Sequence, residues 1–375
     1  MKIRFCCQMV IASASLTFGG IADAATYTST LLLPLAGKYT YSSANGINNA
    51  GQIVGTSAVS YMGGESSATI WNDSIASELP RPNGALGNSS AVGINNAGLV
   101  VGNANFPGID GAHAALWSGP KATDLGTFGG HMSAARRIND AGEAVGVFIG
   151  PAVESAFRWN GSAMIPLGNL GGIVSSARDI NLAGQVAGYS TTQGGHRRAT
   201  IWNGSNPTEL APLSLGDSEA VGINDFGLVV GQSYSAEYHW SRVTLWNGTT
   251  ALTLENLVGK IGYAEAINNS GQVVGRSVTP YGGQLNRATI WNGTTVTDLN
   301  SFLDASLVSD GWILTSASDI NDSGSIVGTA YSTITGQERG FKLVASSVPE
   351  PQTYALMLAG LGLIAGVARC RSKQR

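Results

Sequence analysis

Short apolar stretches with a period of two, each broken by the same small polar turn, run through most of this chain. In residues 44–55, ANGINNAGQIVG, an alternating stretch ends at Ile47, the segment from Asn48 to Gly51 interrupts it, and Ile53-Val54 resumes it. Alternation predicts half-buried strands, and the polar break predicts the tight turn between them. The pattern Ala-x-x-Ile-Asn-x-x-Gly-x-x-x-Gly occurs seven times. Its isoleucines are Ile47, Ile94, Ile138, Ile180, Ile223, Ile267 and Ile320, at intervals of 47, 44, 42, 43, 44 and 53 residues. A unit of this length cannot bury its apolar face alone, so stacked neighbours are predicted.

The turn has a chemical reading. Asn48, Asn95, Asn139, Asn181, Asn224, Asn268 and Asn321 open it, where a carboxamide can accept a backbone N–H bond. Gly51, Gly98, Gly142, Gly184, Gly227, Gly271 and Gly324 stand three residues later, where a left-handed residue closes the hairpin. The second glycine of the pattern, as in Gly55, falls inside a strand, where the missing side chain predicts close approach of another backbone, as crowding near a central axis would require.

A third strand carries a tryptophan column, Trp71, Trp117, Trp159, Trp202, Trp246 and Trp291, with Leu343 in the seventh place. Asn-Gly follows it at Asn160, Asn203, Asn247 and Asn292, a hairpin signal. Eight residues after each tryptophan stands a leucine (Leu79, Leu125, Leu167, Leu210, Leu254, Leu299), expected on a fourth strand. Four strands per unit and seven units predict an all-β fold, a seven-bladed β-propeller of four-stranded blades over residues 25–345. The seventh unit lacks a fourth strand, while TSTLLL at 28–33 precedes the first unit, so the N-terminal strand is expected to close the ring. An open β-solenoid is the alternative that repetition leaves standing.

Both ends read as targeting segments. Lys2 and Arg4 precede an apolar stretch, and Ala22-Asp23-Ala24 offers a small-x-small cleavage site, so 1–24 is expected to be a signal peptide. Residues 346–375 hold an uncharged run, Tyr354 to Ala368, followed by Arg369, Arg371, Lys373 and Arg375. As a helix this run would span about 22 Å, short of the roughly 30 Å hydrocarbon core, and predicts a short transmembrane helix with a cytoplasmic basic tail.

Composition narrows the chemistry. Only 12% of the chain is charged, with 51 glycines, as suits many strands and turns. Cys6, Cys7 and Cys370 all lie in the end segments, so the body has no cysteine to pair. Residues 26–348 carry 15 Lys and Arg against 22 Asp and Glu, which argues against a nucleic-acid partner. His113, His131, His196 and His239 show no zinc spacing, and DINDSG at 319–324 lacks the ligand spacing of a calcium loop. No metal, cofactor or catalytic set is expected. Asp140, Asp179, Asp225, Asp319 and Asp322 read as turn-associated acids. Four residues before each tryptophan, or before Leu343, the copies read Ser67, His113, Ser155, Arg198, Arg242, Arg287 and Arg339. Four successive arginines predict a basic arc at one rim, suited to bidentate bonds with the acidic groups of a glycan.

The C-terminal VPEPQTYALMLAGLGLIAGVARCRSKQR resembles the PEP-CTERM sorting signal of Gram-negative bacteria, with Pro349, Glu350 and Pro351 as its motif. That resemblance implies an exosortase-type membrane enzyme as partner, transient inner-membrane association, and delivery to the cell surface or an exopolysaccharide matrix. Segments such as LGTFGGHMSAARRINDAGEAVG (125–146) resemble the HAF family of extracellular repeats, a likeness that covers nearly all of residues 26–343. Little established activity comes with that family. The expectation is an exported, monomeric, non-enzymatic binding and scaffolding protein of the surface or biofilm matrix. The alternative is a propeller polysaccharide hydrolase or lyase, which would need paired carboxylates near the channel mouth.

Overall fold

In the first unit, Tyr41–Ile47 (β2), Ile53–Ala58 (β3), Ser66–Asn72 (β4) and Ile75–Glu78 (β5) pair antiparallel in that order, preceded by Thr26–Leu32 (β1). The computed structural model describes residues 26–346 apart from 61–63, 83–86, 151–152, 214–215, 236–239, 249, 258, 260 and 279–285. The signal-peptide region, Pro349 to Pro351 and the apolar run from Tyr354 to Ala368 lie outside the described residues. Further four-stranded sheets follow along the chain, with a short 3-10 turn (Leu299–Phe302) and one helix (Ala305–Ser309) before the last. The fold is all-β, built of four-stranded sheets.

The leucine of each unit stands just beyond its fourth strand rather than within it, as Leu79 does after β5. The third and fourth units merge into one eight-stranded sheet. The first strand of the fourth unit, Gly171–Ile180, starts early enough for Val174 to pair with Glu154 of the third.

Each turn is built alike. The Gly51 amide donates to the Asn48 carbonyl at 3.0 Å, Asn48 Oδ1 accepts from the Gln52 amide at 2.9 Å, and Gly51 sits at φ +79. The corresponding glycines of all seven copies lie between +77 and +81, where a side chain would be strained. The asparagine also has a task that reaches beyond its own unit. Asn48 Nδ2 donates to the Asn95 carbonyl, Asn95 to Asn139, Asn139 to Asn181, Asn181 to Asn224, Asn224 to Asn268, Asn268 to Asn321, and Asn321 back to Asn48, at 2.9–3.2 Å. Seven buried carboxamides thus form a hydrogen-bonded cycle with no free end.

The core lies between sheets. One cluster joins Val145, Ala156 and Leu167 of the third unit to Ile180, Val186 and Trp202 of the fourth, and the next occupies the matching positions one unit on, with Ala187 in place of Val145. Five of the six tryptophans are almost completely buried. Each of these covers on the order of 150–250 Å² of apolar surface, roughly 4–6 kcal/mol as a gross upper figure. Their indoles donate to the carbonyl that follows the preceding unit's leucine: Trp117 to Pro80, Trp202 to Gly168, Trp246 to Ala211 and Trp291 to Glu255. Trp159 departs from the column. It is half-buried and its Nε1 lacks a partner, while the Gly126 carbonyl, which follows the preceding unit's leucine, accepts the Ser133 hydroxyl at 2.6 Å.

The last sheet has the order β1, Glu338–Ser346, Ile326–Ser332, Trp312–Ile320. Leu32 of β1 packs against Ala44, Ile47, Ile53 and Trp71 of the first unit, and Trp71 donates to the Leu33 carbonyl at 2.7 Å. Leu32 therefore fills the leucine column for the last sheet.

The strand glycine has a different cause from the one its position suggests. A Cβ on Gly55 would lie 1.9 Å from the Ser43 carbonyl oxygen, on the adjacent strand of its own sheet. The other copies repeat this at 2.0–2.1 Å, as at Gly102 against Ser90, Gly188 against Ser176 and Gly328 against Ser316. The crowding comes from a β-bulge on the first strand, not from neighbouring units meeting at an axis.

Candidate functional site

The bulge decides what faces the middle of the molecule. In the first unit Ala44 pairs with Gly55 and Gly46 with Val54, so Asn45 is skipped. The same skip falls on Val92, Arg136, Arg178, Val221, Glu265 and Ser318. An extra residue bends the strand and re-aims its side chain. These seven residues, one from each unit, line a cavity of about 200 Å³, and Arg137 is its eighth lining residue.

Arg137 also lines a second cavity of about 170 Å³ on the asparagine side, shared with Asp179, Asp319 and the Ile-Asn turns of all seven units. Its guanidinium is the wall common to both. It donates to the Val92 carbonyl at 3.0 Å and the Ser318 carbonyl at 3.4 Å, and pairs with Asp319 at 3.5 Å. Asp179 accepts from the Ile180 and Ile223 amides at 2.9 and 2.8 Å, and Asp319 from the Ile47 amide at 2.9 Å. Both acids therefore bridge neighbouring units from the innermost strand. They precede the turn rather than belong to it, which corrects the turn reading for these two.

Asp140, Asp225 and Asp322 do stand on the turns and rim the second cavity. Each accepts from the same position one unit back: Asp140 from the Asn96 amide, Asp225 from Leu182, Asp322 from Asn269, at 2.8–3.0 Å. Leu182 has no side-chain oxygen to offer, so that chain of bonds is interrupted once.

Electrostatics around Arg137 are tightly coupled. Burial opposes its charge, but Asp319 and Asp179 more than offset this and leave its pKa raised. Burial lifts Asp179 from 3.8 to about 6 against the pull of Arg137, and raises Asp319 and Glu265 in the same sense. Between pH 3.8 and 6 the folded chain keeps a proton on Asp179 that the unfolded chain has lost. Stability from this group is therefore full below the lower value and is lost as pH rises through the upper one. At about 1.4 kcal/mol per unit this amounts to at most roughly 3 kcal/mol, less because the side chain borders a cavity. Asp179→Asn is expected to shrink the difference between urea midpoints at pH 4.5 and pH 7. An unchanged difference would show that Asp179 is not the group responsible.

The outer arginines occupy matched positions but differ in company. Arg198 pairs with Glu209 at 3.1 Å and Asp217 at 3.7 Å, and Arg287 with Asp298 at 3.5 Å. Arg339 donates to the Thr40 and Glu338 carbonyls. Arg242 is exposed and has no acidic partner among the described residues. The acid meeting this column comes from the outermost strand, 11 residues on: Ser67 with Glu78, His113 with Asp124, Arg198 with Glu209, Arg287 with Asp298. Among the described residues no group of three His, Cys, Asp or Glu is placed to hold a metal.

Residues 347–372 match the family of the PEP-CTERM protein-sorting motif, and Pro349, Glu350 and Pro351 fall within that range. The chain carries a PEP-CTERM sorting signal. Such a signal directs export through the membrane and sorting to the surface or beyond, and exosortase-type enzymes recognise it. Among the described residues no helix is long and apolar enough to cross a membrane. No curated protein matches the chain. Among solved structures it is similar to TolB from Acinetobacter baumannii (13% identity, TM-score 0.40, 56% of this chain and 53% of that one), so it spans about half of TolB's length. It is also similar to a mutant of AofleA from Arthrobotrys oligospora (13%, 0.38, 73% and 90%) and to a gluconolactonase from Xanthomonas campestris (11%, 0.40, 85% and 90%).

Proposed function

We propose that residues 25–345 form a closed seven-bladed β-propeller of HAF-type repeats that acts outside the cell as a non-enzymatic, monomeric binding and scaffolding body for acidic exopolysaccharide. The observation that carries this reading is that the carboxylates lining the asparagine-side cavity are already committed. Asp179 and Asp319 hold backbone amides of neighbouring units, with Arg137 beside them, and Asp140, Asp225 and Asp322 hold neighbouring turns. A glycosidase needs one carboxyl group as acid and another as base or nucleophile across the scissile bond. The asparagine cycle and the place of β1 in the last sheet support closure. The sorting signal supports delivery by an exosortase-type enzyme after transient inner-membrane association, without reference to what the body binds.

The outer arginines supply the glycan contact in this reading, led by exposed Arg242. Exposed ion pairs contribute about 0.2–1 kcal/mol each, and Arg198 and Arg287 must exchange internal acids for external ones. Replacing Arg198, Arg242 and Arg287 with serine is expected to weaken retention on an acidic glycan by roughly three- to tenfold at low salt. The thermal midpoint should stay close to wild type, and a reducing-end assay on the same glycan should show no product. Wild-type retention in the triple variant would remove the arc from the reading, and released sugar ends would replace binding with hydrolysis.

A further inference from the structure

The cavity bounded by the bulge residues holds more positive charge than its own walls neutralise. Arg136 and Arg178 both line it, and the Nε of each is buried without a hydrogen-bond partner. Neither makes an ion pair among the described residues. The other charges are spoken for: Arg137 pairs with Asp319, and Glu265, the acid in the lining, accepts from Arg276 at 2.6 Å. Burial, and then the neighbouring Arg178 charge, hold Arg136 below the usual guanidinium range. Leaving two like charges short of partners in a partly dry site is costly, and an oxyanion relieves both the repulsion and the missing bonds.

One of the two side chains is also held in place: Arg178 lies over the Tyr189 ring at 5.5 Å. Arg276, which holds Glu265, lies over Tyr263 at 4.6 Å. Rings that fix a guanidinium from one face leave its donor edge for a planar acceptor. At about 200 Å³ the cavity exceeds the roughly 150 Å³ that admits a benzene molecule, so it has room for one small anionic group but not for a threaded polymer.

We propose that this cavity binds a single oxyanion group, the carboxylate of a sugar acid or a sulfate, gripped by Arg136 and Arg178. Only the sugar as carrier rests on the exopolysaccharide reading; the oxyanion chemistry stands apart from it. The outer arginine arc and this pocket are different surfaces, and they are tested separately.

The test is calorimetric titration of the full chain with sodium sulfate, sodium glucuronate and glucose, at ionic strength matched with sodium chloride. Sulfate and glucuronate are expected to bind, and glucose and chloride are not. Arg136→Gln and Arg178→Gln should each weaken binding by about tenfold or more, as losing a charge-assisted bond does. Val221→Glu places a carboxylate in the same lining and should abolish binding, which keeps the test valid if a glutamine variant fails to fold. No signal above the chloride control, or undiminished binding in both glutamine variants, overturns the site. Sulfate binding without glucuronate binding keeps the oxyanion pocket and overturns the sugar acid. Oxyanion binding in a chain that retains no glycan refutes the exopolysaccharide reading and leaves the pocket intact.

Discussion

Gly188→Ala is expected to destabilise the protein by at least about 3–5 kcal/mol, enough to lower its melting temperature by on the order of 10 °C or to prevent soluble expression. The new Cβ would lie 2.1 Å from the Ser176 carbonyl oxygen and 3.1 Å from the Ala177 α-carbon. Both are main-chain atoms in a hydrogen-bonded sheet, so neither can swing aside as a side chain does. Relief requires undoing the bulge that skips Arg178 between Ala177 and Asp179, and that would also move two residues of the central cluster. Gly204→Ala is the matched control. Gly204 has φ +63 and open space around it, so alanine there costs only about 1–2 kcal/mol of backbone strain. Equal melting temperatures for the two variants would refute the bulge as the reason for the strand glycine.

Leu32→Ala is expected to cost about 2–5 kcal/mol, whereas Leu33→Ala should be nearly neutral. Leu32 is 0% exposed and Leu33 63% exposed, because successive residues of a strand face opposite ways. Leu32 fills a cluster shared between the last sheet and the first unit. Its carbonyl accepts the Ser42 hydroxyl at 2.6 Å, and Ser42 accepts the Gly340 amide at 3.1 Å. The shortening at Leu32 thus loosens both partners of one junction. Deleting residues 26–33 should do more, exposing Glu338–Ser346 as a bare edge and leaving the Trp71 indole without its acceptor, with aggregation as the readout. Chemical denaturation of the two point variants decides the matter. Indistinguishable midpoints would mean that β1 does not hold the junction.

Repetition made the scaffold legible. Isoleucine, asparagine, glycine, tryptophan and leucine recur in matched columns because each does the same packing or turn-closing task in nearly every copy, Trp159 and the Leu343 position being the departures. The donor side of the asparagine is not legible in the repeat, since a bond to the carbonyl one unit on leaves no trace inside it. Arg136, Arg178 and Glu265 are hidden for the opposite reason. They occupy a column whose identity changes from copy to copy, and variability reads as noise until the bulge is seen to turn that column inward. Asp179 and Asp319 lie two residues before the turn's asparagine, so from the sequence they read as part of the turn. The acids meeting the arginine column were within reach: Glu78, Asp124, Glu209 and Asp298 each stand one residue before the column leucine. Pairing of a third strand with a fourth would have brought the two columns together.

Because the skipped residue of each bulge takes no part in the ladder, its identity can change while the frame keeps its shape. Seven codons, at 45, 92, 136, 178, 221, 265 and 318, therefore set the lining of the bulge-lined cavity without entering the strand ladder. Randomising them would yield a library of differently lined cups on a single scaffold, with the native asparagine, valine, arginine, glutamate and serine as one member among many.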